Sequence, residues 1–363
     1  MTSWNPQIVV IEKVVKHTGA DNLDIVTVLG DYPIVTKHGD YKVGDIASYI
    51  PIDTILPDEE KYYFLTPKKY EQRLIDNEIK NIAIGYKYEL GNVPENKRVV
   101  KAKKFYGVYS QGLLFKPVEG LLVGDSIVEQ LGLKKIEEEE EENARKLKST
   151  RNFGKSPNGW NIPYYDIRNV REYINLLNDE NEVILLEKIH GSNFSCCYDD
   201  VENKFYVKSR RFYKEKNEDD SWWDIAIRNG LEEKLKKYPM YIFFGELTGG
   251  VGGFPYDSKV INGKLETTIH FFDIFDVKAN SYLDYDDFVN ILKDLNLSQA
   301  PLIYRGKWLN KDDMYKMGEI KTLLGQKHIA EGWVLRLPKE KNIEGIGRFQ
   351  FKYVSEQYNL NKK

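Results

Sequence analysis

The run Val183-Ile184-Leu185-Leu186-Glu187-Lys188-Ile189-His190-Gly191-Ser192-Asn193-Phe194 decides how the rest of the chain is read. Four consecutive apolar residues, 183–186, describe a buried strand, and the glycine at 191 marks the turn that ends it. Lys188 is thereby delivered to a strand end. A lysine amine attacks only when it is deprotonated, so a nucleophilic role there requires nearby cations or exclusion from water. Gly191 allows a backbone to approach a ligand closely, and Asn193 offers a hydrogen-bonding amide. A surface lysine beside a β-turn looks the same in isolation, so the choice rests on the segments that follow.

Working outward, 363 residues suffice for two domains, each with a core of its own. Hydrophobic residues at 41% and charged residues at 30% are an ordinary globular balance, and no apolar run reaches the length of a membrane span. Met1-Thr2-Ser3-Trp4-Asn5-Pro6 lacks a basic segment followed by an apolar one, so a cytoplasmic protein without membrane partners is expected. The two cysteines, Cys196 and Cys197, are adjacent, which suits neither an ordinary disulfide nor a zinc site and fits small core residues on a strand. The net charge of −3 hides a distribution. Glu137 to Glu142 contribute six negative charges, and the rest of the chain carries +3.

The first part of the chain has a β pattern. Apolar-rich stretches at 7–11, 23–29, 34–36 and 46–51 are separated by turn residues at 18–22 and 37–40, the punctuation of a small closed barrel of the OB type. Between Glu95 and Gly112, Lys97, Arg98, Lys103 and Lys104 are interleaved with Phe105, Tyr106 and Tyr109. Such a stretch can neutralise a phosphate backbone and stack bases, or be a barrel strand with one solvated cationic face. Residues 58–92 are rich in charge and tyrosine without periodicity and read as an insertion or a helical excursion. The domain boundaries expected are 1–136 for the barrel, 137–150 for a solvated acidic linker and 151–363 for a second domain, with loop over 145–162.

That second domain reads as α+β, dominated by sheet, with strands at 183–188, 194–198, 204–209, 241–247, 269–277, 332–337 and 347–353. Phe288, Ile291, Leu292 and Leu295 keep helical spacing, which predicts a helix over 284–296, and another is expected over 222–237. Five segments bring polar groups to strand ends: Lys208-Ser209-Arg210-Arg211, Phe244-Gly245-Glu246-Leu247, Phe271 to Val277, Glu331-Gly332-Trp333-Val334, and Arg348 to Lys352. Alternation over the third puts Phe271, Asp273 and Phe275 on one face. Each segment alone has a structural explanation. Their joint order is specific.

In that order the chain resembles the covalent nucleotidyltransferase superfamily of ATP-dependent ligases and mRNA capping enzymes. Glu187 to Phe194 is similar to motif I of RNA ligases of the RNA ligase 2 kind, with K-x-H-G where DNA ligases and capping enzymes have K-x-D-G. Ser209-Arg210 looks like motif Ia, Phe244 to Leu247 like motif III, Phe275-Asp276 like motif IIIa, Glu331 to Val334 like motif IV, and the strand to Lys352 like motif V. Gly30, Tyr41 to Asp45 and Tyr49 to Asp53 look like the OB domain that precedes the catalytic core in RNA ligase family five.

The resemblance implies an OB-like β-barrel followed by an antiparallel-sheet-rich nucleotidyltransferase domain with flanking helices. It implies an ATP-dependent RNA ligase, acting in RNA repair on 3′-hydroxyl and 5′-phosphate ends, at nicks in a duplex, as a monomer. Lys188 is the implied nucleophile, forming a lysyl-AMP. Glu187, Asn193, Arg210, Glu246, Phe275, Glu331 and Lys352 are the implied nucleotide contacts, with Phe275 stacking on adenine. Glu246 and Glu331 are the implied ligands of Mg2+ or Mn2+, and Lys97, Arg98, Lys103 and Lys104 the implied RNA contacts. Motif V ordinarily carries two lysines with one residue between; here Gln350 stands at the first position, so one phosphate contact is weakened or Arg348 supplies it, or else Lys352 is the first lysine and Val354 stands at the second, and Lys352 is kept in either alignment. Eleven residues follow Lys352, so no C-terminal OB domain of the DNA ligase and capping kind is expected. A DNA ligase, a guanylyltransferase and a nucleic-acid-binding protein with a decayed catalytic core are the alternatives.

Overall fold

A computed structural model describes residues 4–75, 78–136, 156–157, 160, 163, 165–210, 212–217, 220–250, 256, 260–261, 264–325 and 328–361. The acidic stretch 137–150 and most of 145–162 lie outside the described residues, as does Arg211. The chain divides into two compact units, one drawn from Trp4–Ser149 and one from Thr150–Lys363. Among the described residues no helix is long and apolar enough to cross a membrane.

In the first unit β1 (Gln7–Val10), β3 (Leu23–Val28), β4 (Tyr32–Lys37) and β5 (Ile46–Ile50) follow the apolar stretches of the sequence, and β2 (Lys13–Lys16) lies between the first two of them. After them come a hairpin of β6 (Lys68–Ile75) and β7 (Glu78–Tyr86), a second of β8 (Lys103–Phe105) and β9 (Val108–Ser110), and β10 (Leu113–Phe115). Residues 68–86 are therefore a long β-hairpin and not a helical excursion. Strands β1–β5–β10 form one three-stranded sheet and β2–β3–β4 another, so the described ladders do not close into a ring. Val9, Val26, Val28, Ile34, Ala47 and Tyr49 meet in one core cluster. Ile8 and Ile50 enter a second with Tyr62, Val100 and Ile127, which explains why β1 and β5 are apolar on both faces.

The second unit is built from two sheets. The five-stranded sheet runs β11 (Arg168–Asn169), β21, β20, β12, β19 across its width, where β12 is Glu182–Glu187, β19 Leu302–Lys307, β20 Gly332–Arg336 and β21 Gln350–Val354. Strand β12 lies between β20 and β19 and is buried on both sides. Ile184 and Leu186 enter one core cluster, while Val183 and Leu185 enter another with Trp308, Trp333, Leu335, Phe351 and Tyr353. The six-stranded antiparallel sheet runs β15 (Tyr213–Lys214), β14 (Lys204–Ser209), β13 (Ser192–Asp199), β16 (Tyr241–Thr248), β17 (Thr268–Asp276), β18 (Ser281–Tyr282).

Three helices cover one face of that larger sheet through Trp223, Leu231, Phe288 and Leu292. They are α1 (Ser221–Arg228), α2 (Leu231–Leu235) and α3 (Tyr285–Asp294). The single helix expected over 222–237 is broken between α1 and α2 at Gly230, whose φ of 61° is left-handed and suits glycine. Asp220 caps α1, its carboxylate accepting from the Trp222 N–H at 2.9 Å.

One expectation about β17 fails. The pairing with β16 shifts register between Phe244 and Gly245, with Gly245 opposite Phe271 and Phe244 opposite Asp273. The bulge leaves Phe272 unpaired and breaks the two-residue alternation. Phe271 packs with the helix-side core, and Phe275 packs on the opposite face with Cys197, Tyr206, Ile242 and Phe244. Phe271, Asp273 and Phe275 therefore do not share a face.

Candidate active site

The turn after β12 is fixed by close backbone approach. Lys188 N–H donates to the Gly332 carbonyl at 3.0 Å, which ties the lysine to the start of β20. A Cβ on Gly191 would lie 2.0 Å from the Leu247 carbonyl oxygen and 3.0 Å from Glu246 Cγ, so only glycine lets this turn rest on β16. A Cβ on Gly332 would meet the Tyr353 carbonyl oxygen at 2.0 Å, and its φ of 141° is closed to other residues in any case. These two glycines bring the lysine and both acidic segments together.

Lys188 Nζ lies 2.5 Å from Glu331 Oε1. Across the larger sheet Asn193 is paired with Glu246 and Glu246 with His270, so these three side chains share one face. Burial pushes the Glu246 carboxyl up to about 8; Lys188 pulls it down, Glu331 raises it further, and Arg210 and the Gly191 N–H also stabilise its charge. Lys352 pairs with Val334 across β21 and β20, and burial, with Lys188 adding repulsion, pushes its ammonium down to about 8. Arg210 Nη2 stands 3.8 Å from Asp166 Oδ1, and Asp166 also acts electrostatically on Lys352. The structure thus gathers Lys188, Glu246, Glu331, Arg210 and Lys352 into one mutually interacting cluster. Asp166 is a member that sequence reasoning missed, because it lies just before the short strand β11 in a stretch without periodicity.

Three expected contacts are placed elsewhere. Glu187 is 2% exposed, and its carboxylate accepts from the Thr322 hydroxyl and, at 2.8 Å, from the Leu323 N–H. Strand alternation turns it away from Lys188, so its side chain fastens the 322–323 segment and is not presented to a nucleotide. Phe275 is 5% exposed and stands edge-on to Tyr282 at 5.0 Å between ring centroids, five residues beyond the Glu246 partner His270. Half-buried Phe272, in the bulge, is only two residues beyond it and stacks obliquely with Tyr165 at 4.9 Å. Arg98 donates to the carbonyls of Leu56 and Val93 and holds the loops together. Lys97, Lys103 and Lys104 are exposed, the last two on the β8–β9 hairpin, whose turn presents Tyr106 to solvent.

Gln350 and Arg348 also have definite partners. The Gln350 side-chain oxygen accepts from the Tyr165 hydroxyl at 3.0 Å and from Arg348 at 3.2 Å. Fully buried Asp273 pairs with Arg336 at 3.1 Å and with Arg348, and Glu340 bridges the same two arginines at 2.6 Å each. Two guanidiniums face two carboxylates. Both arginines hold the Asp273 carboxyl below its usual range against its burial. Arg348 is consequently neutralised, and it does not replace the cation that Gln350 lacks.

Two sheets, a strand-end lysine and a pair of convergent carboxylates define the class: a nucleotidyltransferase-like ligase domain. Residues 181–354 match the family model for RNA ligase, and residues 7–84 match an OB-fold domain model. The chain carries an RNA ligase domain behind an OB-fold domain. Among solved structures it is similar to a mutant of Naegleria gruberi RNA ligase with ATP and Mn. That match has 19% identity over 98% of both chains and a TM-score of 0.72. It is also similar to another mutant with AMP and Mn, at 18% identity over 99% of both chains and a TM-score of 0.73. The same ligase with PPi matches at 20% identity over 98% of this chain and 97% of that chain, with a TM-score of 0.71. These are likenesses of fold. Comparison with curated proteins gave no match.

Proposed function

We propose that the chain is an ATP-dependent RNA ligase that seals a 3′-hydroxyl to a 5′-phosphate at RNA nicks, through a lysyl-AMP and an RNA-adenylate. The observation that carries this reading is the meeting of Lys188 with Glu331, Glu246, Arg210 and Lys352, five side chains from five separate strands or strand ends. The family model over the same residues and the nucleotides held by Naegleria RNA ligases of this fold support it.

In the first step Lys188 Nζ forms a bond to the α-phosphorus of ATP as the bond to pyrophosphate breaks. The ammonium must give up a proton, and Glu331 Oε1, 2.5 Å away, is its nearest acceptor. An oxygen of the RNA 5′-phosphate then attacks the same phosphorus, and the P–N bond breaks as the lysine regains a proton. Finally the 3′-hydroxyl attacks the 5′-phosphorus and AMP leaves. Each transition state concentrates negative charge, which Arg210 and Lys352 are placed to stabilise. Phe272, rather than Phe275, is the aromatic available to the base.

Glu246 and Glu331 stand close enough that each disfavours the other's charge, and this pair of carboxylates would suit a hard divalent cation that keeps most of its waters. Bound Mg2+ or Mn2+ would supply Lewis-acid neutralisation of the phosphates. A nicked duplex with RNA or DNA on the 3′-hydroxyl side, incubated with ATP or GTP, tests the proposal. Sealing of the RNA nick with ATP alone is expected, whereas GTP-dependent labelling or equal sealing of an all-DNA nick would refute it.

A further inference from the structure

We infer that Tyr358 is a positioning residue for the nucleophile, and that the helix carrying it, α4 (Glu356–Asn361), is a strap that must be seated for Lys188 to react. The inference rests on the lysine chemistry proposed above. His190, two residues after Lys188, is held between two tyrosine hydroxyls. Its backbone N–H donates to the Tyr256 oxygen at 2.7 Å, and its ring Nδ1 lies 2.5 Å from the Tyr358 hydroxyl. The two rings are 5.9 Å apart, and Tyr358 is 8% exposed. A tyrosine hydroxyl donating to Nδ1 fixes the imidazole tautomer and its orientation together.

The strap is anchored on the other side of the nucleophile as well. Ser355 N–H donates to the carbonyl of Glu331, the acid in contact with Lys188, at 2.9 Å. Glu319 clamps the approach to the helix with four accepted bonds: from the Tyr353 hydroxyl at 2.8 Å, the Ser355 hydroxyl at 2.9 Å, Glu356 N–H at 2.6 Å and Gln357 N–H at 3.1 Å. Glu356 in turn pairs with Arg171 at 3.1 Å. Residues 355–358 therefore touch the turn after Lys188 and the backbone of its carboxylate partner at once. Neither contact is needed to fill the core, since a phenylalanine at 358 would fill the same space.

Tyr358→Phe in the full chain tests this, because it keeps the ring and removes only the hydroxyl. The expected result is about a tenfold slower lysyl-adenylate formation at saturating ATP, the loss of roughly one well-placed hydrogen bond. The ATP concentration for half-maximal rate should stay unchanged, and the thermal midpoint should fall by no more than a few degrees. His190→Ala should lose at least as much, and the double variant no more than His190→Ala alone. Amide hydrogen exchange over 188–191 should quicken in Tyr358→Phe, a readout that does not depend on activity. A wild-type rate with unaltered exchange, or additive losses in the double variant, would overturn the inference. Failure of the wild-type chain to form an adduct would instead refute the ligase reading, leaving the exchange result to decide the strap.

Discussion

Gln350 bears most directly on how the active-site chemistry is divided among side chains. Its amide oxygen is satisfied by Tyr165 and Arg348, and the surrounding charges already balance. Gln350→Lys therefore does not restore a phosphate contact. It sets an unpaired ammonium beside Arg348, and the expected cost is about 3 kcal/mol of stability with no gain in adenylylation, read from denaturant midpoints and single-turnover rates. Lys352 then carries the cation of this strand alone. Its ammonium titrates at about 8, so it is charged below that pH and neutral above it. For the free enzyme, loss of the Lys352 charge above about pH 8 should lower kcat/KM for adduct formation relative to Lys352→Arg, which keeps its charge there.

At this scale the sequence was legible where chemistry and backbone demanded a residue type. Lys188, Glu246 and Glu331 could be named because a strand end, a glycine and a charge coincide. Glu187 was misread because a carboxylate beside a nucleophile looks functional until strand alternation is followed one residue further, into the hydroxyl of Thr322. Asp166 was invisible, since its role comes from the fold bringing residue 166 to Arg210.

Among the elements, most strands of the second unit and the helix over Tyr285–Asp294 were legible from periodicity, with boundaries within a few residues, whereas β2, β11 and β19 were not. What periodicity could not show was an interruption of itself. The bulge in β17 puts Phe275 on the face away from the helix-side core, leaves Phe272 as the aromatic proposed above for the base, and places Asp273 between two arginines. Phe272→Leu should therefore raise the KM for ATP several-fold while leaving stability within about 1.5 kcal/mol, as volume-conserving swaps do. Phe275→Leu should instead lower stability and leave KM near its original value. Equal effects of the two on KM would show that the bulge does not select the base contact. The β6–β7 hairpin was missed for a related reason. Most of its side chains face solvent, so no apolar alternation records it.

For the whole molecule, the chain divides into two units, and the pairing of strands into two larger sheets with accompanying hairpins in each unit was not legible in the sequence. Stability against pH gives a global readout of one local feature. His270 shares a sheet face with Glu246, and burial pushes its imidazole down to about 4 against about 6.5 when unfolded. Between those values the unfolded chain binds a proton that the folded chain refuses, so stability declines as pH drops from about 6.5 to about 4 and is unaffected by this group above 6.5. Denaturant midpoints across that window should lose part of their slope in His270→Gln. An unchanged slope would place the imidazole in contact with water.

The central claim is that one lysine becomes covalently joined to AMP. Incubating the full chain with ATP and Mg2+ or Mn2+, then digesting it and locating the added adenylate by mass spectrometry, tests this directly. The account predicts a single modified peptide with AMP on Lys188 and none in Lys188→Ala. An adenylate on any other residue, or one that persists in that variant, would contradict it.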